Sequence, residues 1–248
     1  MYEETKYKPA GDRALVVEFG NEIQPRINRR VREIACLLQQ EKIDGVIEWV
    51  PTYRSILIIY DPSVVLYQEL VSRMKVLEKK RKEMALPPPV VTEIPTVYGG
   101  EYGPDLEYVA KHNNLQVEEV IRIHSEPEYL IYMLGFTPGF TYLGGMSPRI
   151  ATPRLSTPRT SIPGGSVGIA AGQTGIYPMD SPGGWQLIGR TPLVLFDPKR
   201  EEPVLLKAGN YLKFIPVCVE KYLEIKEKVE KGEYRVKVYT RNRNGEGE

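Results

Sequence analysis

Sulfur and imidazole are scarce in this sequence. Cys36 and Cys218 are the two cysteines among 248 residues and lie far apart, which indicates no disulfide framework and favours the reducing cytoplasm as the location. The two histidines, His112 and His124, lack zinc-ligand spacing to each other or to a cysteine, so no metal site is expected. No apolar run approaches the ~20 residues that span a bilayer, so no membrane span is expected.

An excess of charge and two standard catalytic motifs are also absent. The 33 Lys and Arg residues balance 32 Asp and Glu residues, for a formal net charge of +1, which argues against nucleic acid as a partner. The sequence contains no G-x-x-x-x-G-K-[ST] loop and no G-x-S-x-G elbow. A standard nucleotide cradle and a serine-hydrolase nucleophile are therefore not expected in this chain.

Residues 1–86 have the pattern of a small α/β domain. Apolar residues recur at helical spacing in two segments, and short β-branched runs lie between them. The order β-α-β-β-α predicts a ferredoxin-like domain that still needs one strand. The predicted strands are 14–19, 46–51 and 55–61, and the predicted helices are 25–42 and 63–84, with Ser63 as the N-cap of the second.

A proline-rich connector at 85–91 predicts the boundary to a second domain, 87–241. The strand predicted at 92–99 could complete the first sheet or open the second domain. The dense glycine and proline of the second domain favour a β-barrel with short strands. Its further predicted elements are helices 103–113, 115–126 and 218–232 and strands 192–197, 211–217 and 233–240, followed by a disordered tail at 242–248.

The segment 135–192 has no lysine and no glutamate, although it holds 12 of the 22 glycines. Its charged residues are one aspartate and four arginines. The planar arginine fork suits carboxylate and phosphate, so this segment is a candidate anion-binding surface. The alternative is that each arginine braces a loop through backbone carbonyls. The four arginines are Arg149, Arg154, Arg159 and Arg190.

Aromatic residues and glycines accompany these arginines. The run GFTPGFTYLGGM, 135–146, carries three aromatics and no charge, which indicates a loop facing a binding cleft or a partner. Small residues in VGIAAG, 167–172, permit close approach of a backbone or a ligand. Trp185 follows two glycines and is either a core anchor or an exposed platform. His124 is either structural or the general acid–base residue of this region.

Three long motifs resemble one known family. They are HSEPEYLIYMLGFTPGFTYLGGM, PRLSTPRTSIPGGSVGIAAGQTGIYP and SPGGWQLIGRTP, and GDRALVVEFG and VPTYRSILIIYDP agree with them. The chain resembles the 5-oxoprolinase B-subunit family, also called allophanate hydrolase subunit 1 or KipI-type, to about residue 216. The resemblance implies an α+β protein of two domains, the second a cyclophilin-like β-barrel.

The resemblance also implies a divided enzyme. This chain would be the B subunit of a 5-oxoprolinase. It would act with a C subunit, of the KipA or allophanate hydrolase subunit 2 type, and with an A subunit, of the LamB/YcsF type. The complex would open 5-oxoproline to glutamate with ATP bound through the assembly, and this chain alone would be inactive.

Two other functions remain open from the resemblance. They are a KipI-type inhibitor of a sensor histidine kinase and a component of an allophanate hydrolase or urea amidolyase complex. Prolyl isomerase activity is not expected, since a fold does not carry an activity.

A lactamase of this kind must hold a carboxylate, pair a ring amide and stabilise growing negative charge. His124 and Arg159 are the catalytic candidates. The other arginines suit the substrate carboxylate, polar side chains suit the amide, and aromatic side chains suit the ring. The substrate-binding candidates are Phe140, Tyr142, Arg154, Ser166, Gln173, Tyr177, Trp185, Gln186 and Arg190.

Overall fold

The computed structural model describes residues 4–241, apart from the side chain of Lys82. The tail predicted at 242–248 lies outside the described residues. Contacts divide the chain between Pro87 and Pro88 into two compact units, called here the N-terminal and the C-terminal unit. The domain bounds 1–86 and 87–241 stay predictions. Within residues 4–241, every helix is too short or too polar to cross a membrane.

The N-terminal unit is a four-stranded antiparallel sheet with two long helices. Its sheet order is β1-β2-β4-β3, so β4 lies between β2 and β3 in a split β-α-β arrangement. A short 3₁₀ turn, Arg81–Glu83, follows the second helix. The elements are β1 (Lys6–Pro9), β2 (Ala14–Glu18), α1 (Pro25–Glu41), β3 (Val46–Pro51), β4 (Ser55–Tyr60) and α2 (Tyr67–Lys80).

The strand that completes this sheet precedes the other three in the chain. The sequence pattern predicts it after α2, but β1 pairs with β2 instead. All four residues of β1 are exposed or half-buried, so the strand shows no apolar alternation. Residues 92–99 are therefore not needed in the first sheet.

The helix predicted from Ser63 begins four residues later. The Asp61 carboxylate accepts hydrogen bonds from the Ser63 N–H at 2.9 Å and from the Ser63 hydroxyl at 2.7 Å. This turn competes with helix formation, and α2 starts at Tyr67 with Leu66 as its N-cap. The prediction that Ser63 caps the helix is wrong.

The C-terminal unit is rich in strands. Short 3₁₀ turns occur at Gly100–Tyr102 and Pro148–Ile150. Its elements are β5 (Val90–Tyr98), α3 (Leu106–His112), α4 (Val117–Ser125), β6 (Tyr129–Leu134), β7 (Thr141–Gly144), β8 (Arg159–Ile162), β9 (Ser166–Ala170), β10 (Gln173–Ile176), β11 (Ser181–Gly183), β12 (Gln186–Arg190), β13 (Tyr211–Pro216), α5 (Val219–Glu230) and β14 (Val238–Thr240).

Eight of these strands form one strongly curved sheet. The order is β10-β9-β12-β5-β13-β6-β7, with β14 on β5. The end strands β10 and β7 lie against each other, so the sheet nearly closes into a barrel. Strand β5, which contains most of the predicted strand 92–99, lies at the centre of this sheet. Residues 92–99 therefore belong to the second sheet and do not complete the first. The barrel expectation is confirmed at this level, and its cyclophilin-like topology stays a prediction.

Two predicted strands are largely irregular. Between 192 and 197, only Phe196 forms a bridge, to Val204. Leu193 and Leu195 are buried while Val194 is exposed. The alternating leucines therefore anchor a loop to the core and do not belong to a strand that pairs along its length. The strand predicted at 233–240 is reduced to β14.

Candidate functional site

The segments 153–155 and 184–186 run side by side. The Leu155 N–H donates to the Gly184 carbonyl at 2.7 Å, and Gln186 Nε2 donates to the Pro153 carbonyl at 2.8 Å. These two bonds place Arg154 beside Trp185. Two of the three glycine-rich motifs therefore meet at one surface of the barrel.

The third motif joins them through ring contacts. Phe140 lies edge-on to Tyr142 at 5.4 Å, to Tyr177 at 6.1 Å and to Trp185 at 5.9 Å between ring centroids. Phe136 packs edge-on against Phe140 at 5.6 Å but is 70% exposed. These five rings are called the aromatic cluster. Edge-to-face contacts of this kind hold rings in fixed orientations.

Glycines allow the cluster to pack closely. Gly168 and Gly175 are cross-strand partners in β9 and β10, and Trp185 lies over both. A Cβ atom on either glycine would stand 3.1 Å from a Trp185 side-chain atom, and one on Gly183 would stand 2.4 Å from the Tyr177 hydroxyl. The sequence predicts that a backbone or a ligand lies close to the small residues of 167–172, and in the structure the group that lies close to them is the Trp185 side chain. Trp185 remains half-buried, so it is an anchor with one accessible side.

Arg159 braces the loops behind this surface. Its Nη2 donates to both oxygens of Asp105 at 2.8 and 2.9 Å, and its Nη1 donates to the Trp185 carbonyl at 3.3 Å. Asp105 also accepts the Leu187 N–H at 2.6 Å. This geometry favours the bracing alternative for Arg159, and the catalytic role stays untested.

Asp105 is the residue that sequence reasoning missed. It occupies the N-cap position of α3 but makes no capping hydrogen bond with its side chain. An aspartate after Gly-Pro is most simply interpreted as a helix cap, and no local signal points to Arg159, 54 residues away.

Arg154 differs from Arg159 in its exposure and in its partners. It is exposed, and no carboxylate lies within ion-pair distance of it among the described residues. Burial raises the pKa of Tyr177, while a hydrogen bond to the Trp185 backbone and the charges of Arg154 and Arg159 act in the opposite direction. Arg154 is thus an available guanidinium next to the aromatic cluster.

The remaining polar candidates are less accessible. Ser166 is completely buried, and Gln186 is buried although the two glycines before Trp185 predict an outward turn there. Ser166 Oγ and Gln186 Oε1 have no hydrogen-bond partner within residues 4–241. Arg190 lies over the Tyr102 ring at 5.8 Å instead of joining the cluster, and Gln173 is half-buried at the start of β10. Their substrate-binding roles stay predictions.

His124 lies inside the barrel rather than at this surface. It is fully buried, its Nδ1 contacts the Tyr98 hydroxyl at 2.8 Å, and its Nε2 contacts the Thr174 hydroxyl at 2.8 Å. Phe214 packs on the ring at 4.4 Å between centroids. Burial lowers the pKa of His124 to about 3. This environment supports the structural alternative, because the imidazole is enclosed and both ring nitrogens already have hydrogen-bond partners inside the protein.

His124 should make stability fall in mild acid. The folded pKa of about 3 lies below the unfolded value of ~6.5, so the unfolded state binds more protons between these values and stability is lost as pH falls from 6.5. The free energy of unfolding should drop by about 2 kcal/mol from pH 7 to pH 5 through this group. Urea unfolding at both pH values checks this. His124→Gln should lose the drop and His112→Gln should keep it; equal slopes in both variants would contradict the assignment.

No cleft is confirmed at the aromatic cluster. Two depressions among the described residues lie in the N-terminal unit. Nor do residues 4–241 contain a group of three or more His, Cys, Asp or Glu that could hold a metal ion. Phe140 and Tyr177 are buried, Tyr142 and Trp185 are half-buried, and Phe136 and Arg154 are exposed, so the accessible part of this surface consists of Phe136, Arg154 and one side of Trp185.

Comparison with known proteins gives matches over most of the chain. The family model "Carboxyltransferase domain, subdomain C and D" matches residues 5–206. The 5-oxoprolinase B subunit of Bacillus subtilis is 48% identical over 88% of this chain and 95% of its own, and that of Escherichia coli O157:H7 is 40% identical over 83% and 93%. The Kluyveromyces lactis urea carboxylase structure is 23% identical, with a TM-score of 0.75 over 95% of this chain and 24% of its own, which supports the barrel-containing fold.

Proposed function

This chain belongs to the family of carboxyltransferase subdomains C and D, and we propose that it is one component of an ATP-dependent 5-oxoprolinase that opens 5-oxoproline to glutamate. The observation that carries the proposal is the 48% identity to the Bacillus subtilis 5-oxoprolinase B subunit across nearly the full length of both chains. A match that covers both chains supports the same role in a multi-subunit hydrolase.

The patch around Arg154 suits the proposed substrate. 5-Oxoproline carries a carboxylate on a nearly flat lactam ring. An exposed guanidinium without an acidic partner among the described residues can bind the carboxylate, and the accessible side of Trp185 can pack on the ring. Arg154 and Trp185 lie on adjacent segments, which the hydrogen bonds from Leu155 N–H to Gly184 and from the Gln186 side chain to Pro153 hold together.

The patch also suits a partner surface. Phe136 exposes most of its ring at the tip of the loop between β6 and β7 and has a φ of +64°. A non-glycine residue with positive φ is uncommon, and an exposed aromatic beside other rings is typical of a binding surface. We therefore propose that this loop faces the KipA-type partner, the C subunit of the enzyme, and that the substrate binds where the two chains meet.

ATP and the identity of the partners stay proposals for the complex. The described residues provide no glycine-rich phosphate loop followed by lysine, so no residue of this chain is assigned to the nucleotide and no step is derived through it. The KipA-type and LamB/YcsF-type partners are expected from the family, and the cytoplasmic location is expected from the two distant cysteines. Kinase inhibition and an allophanate hydrolase or urea amidolyase complex are the alternatives.

Assembly tests the proposal directly. Tagged chain co-expressed with a KipA-type protein should retain it in an equimolar complex through size-exclusion chromatography, whereas the chain alone should release no glutamate from 5-oxoproline with ATP. Phe136→Ser should weaken the complex by about tenfold or more, because loss of a buried aromatic at an interface costs over ~1.4 kcal/mol. Tyr108→Ser, an exposed tyrosine on α3, serves as the matched control. Turnover by the pure chain, or failure of the wild type to bind, would contradict the proposal.

A further inference from the structure

Arginines are concentrated at one place in the N-terminal unit. Arg26, Arg29 and Arg30 occupy the first part of α1, and Arg81 follows α2. We propose that these four side chains form a binding site for a small anion that carries a phosphate group. The site lies in the other unit from the aromatic cluster and does not depend on the proposed function.

The four arginines line a depression. Its volume is about 280 Å³, and Glu33 and Met84 complete its wall. This is just below the range of ~300–1,000 Å³ that is typical of small-molecule sites. It suits a phosphate group with a small substituent.

The carboxylates nearby use only some of the donors that these arginines offer. Glu33 accepts from Arg29 at 2.9 Å and from Arg81 at 3.1 Å, while Glu78 accepts from Arg30 at 2.9 Å. Four guanidiniums thus share two carboxylates, which leaves an excess of two positive charges. Each guanidinium has five N–H donors, so unused donors remain around the depression.

Two observations at the start of α1 show that no acidic residue of its first turn offsets this excess. Arg26 donates its Nε to the Gln24 side chain at 2.6 Å, and Gln24 in turn donates to Glu22, so Arg26 has no direct bond to an acid among the described residues. The first turn of α1 contains no acidic residue, although the helix dipole favours negative charge there. Arginines at the positive end of a helix cost stability unless an anion offsets them, and a phosphate would do so.

Phosphate is the anion class that the chemistry favours. Planar forks on several sides of a depression can each make two parallel hydrogen bonds to a tetrahedral oxyanion. A long polyanion is a poor fit, because the site is small and the chain as a whole carries a net charge of +1. The phosphate could be free inorganic phosphate or the terminal group of a small organic molecule.

Titration calorimetry on the full chain tests the site. The probes are inorganic phosphate and phenyl phosphate, each added in chloride buffer of constant ionic strength. The test variant is Arg26→Gln/Arg29→Gln, since both side chains are exposed and neither binds Glu78. The matched control is Arg73→Gln, an exposed arginine that pairs with Glu69 on α2. If the double variant fails to fold, the Kd for phosphate is compared between wild type and Arg29→Gln alone.

We expect wild type and Arg73→Gln to bind phosphate with the same Kd and the double variant to bind at least about tenfold more weakly. Tighter binding of phenyl phosphate would indicate the phosphate of a larger molecule, and equal binding would indicate the free ion; both support the site. No phosphate heat above the chloride background, or an unchanged Kd in the double variant, would overturn it.

Discussion

Replacing Asp105 by alanine is expected to lower the free energy of unfolding by about 3 kcal/mol, because the loss of one partner leaves the other charge uncompensated. The side chains of Arg159 and Asp105 are only 28% and 13% exposed. The carboxylate also holds the Leu187 N–H at 2.6 Å, and that donor would lose its partner as well. Urea unfolding followed by circular dichroism measures the change.

The matched control is Asp197→Ala. Asp197 pairs with Arg200 at 3.5 Å, with side chains 37% and 33% exposed, and an exposed pair contributes less than ~1 kcal/mol. The same comparison separates the two roles of Arg159. If this residue only braces, Arg159→Lys should lower the melting temperature while kcat and KM of the folded fraction stay unchanged. A stable Arg159→Lys protein with impaired kcat would instead support the catalytic role.

Elements with a clear apolar period could be predicted from the sequence. Helix α1 and strand β4 lie within one residue of their predicted bounds, since their buried residues recur at helical or alternate spacing. Strand β3 also has its predicted bounds, although none of its residues is buried. Strand β1 could not be predicted, because an edge strand without a buried face has no pattern. The start of α2 could not be predicted either, because the Asp61 turn competes locally with the helix.

Some features of the candidate site could also be predicted from the sequence, and others could not. Arginines and aromatics in a segment without lysine mark the surface where the three motifs meet in the structure, and its role as a binding site stays a prediction. The resemblance of the three motifs agrees with the family match. The partner of Arg159 could not be predicted, because a contact across 54 residues leaves no local trace. Polar residues such as Ser166 become candidates through their hydrogen-bonding capacity, and local sequence carries no measure of their burial.

Replacing Arg154 by glutamine is expected to reduce kcat/KM of the reconstituted complex for 5-oxoproline by about tenfold or more without changing stability. The loss of a charged hydrogen bond to the substrate carboxylate costs ~1.5–3 kcal/mol. Stability should stay constant because Arg154 is exposed and has no acidic partner among the described residues. Steady-state kinetics and a melting curve on the same preparation check both parts.

The control for this change is Arg149→Gln. Arg149 belongs to the same lysine-free segment and is 56% exposed, but it pairs with Glu119 at 3.8 Å. Its kcat/KM should stay within about twofold of wild type. Equal losses in both variants would show that net positive charge, rather than the position of Arg154, matters.

Release of glutamate from 5-oxoproline by this chain together with the proposed KipA-type and LamB/YcsF-type partners and ATP tests the central claim most directly. Each of the purified proteins is omitted in turn, and glutamate and phosphate are counted. The account predicts ATP-dependent glutamate formation by the full set, and none when this chain is absent or alone. Undiminished glutamate formation without this chain would contradict the account.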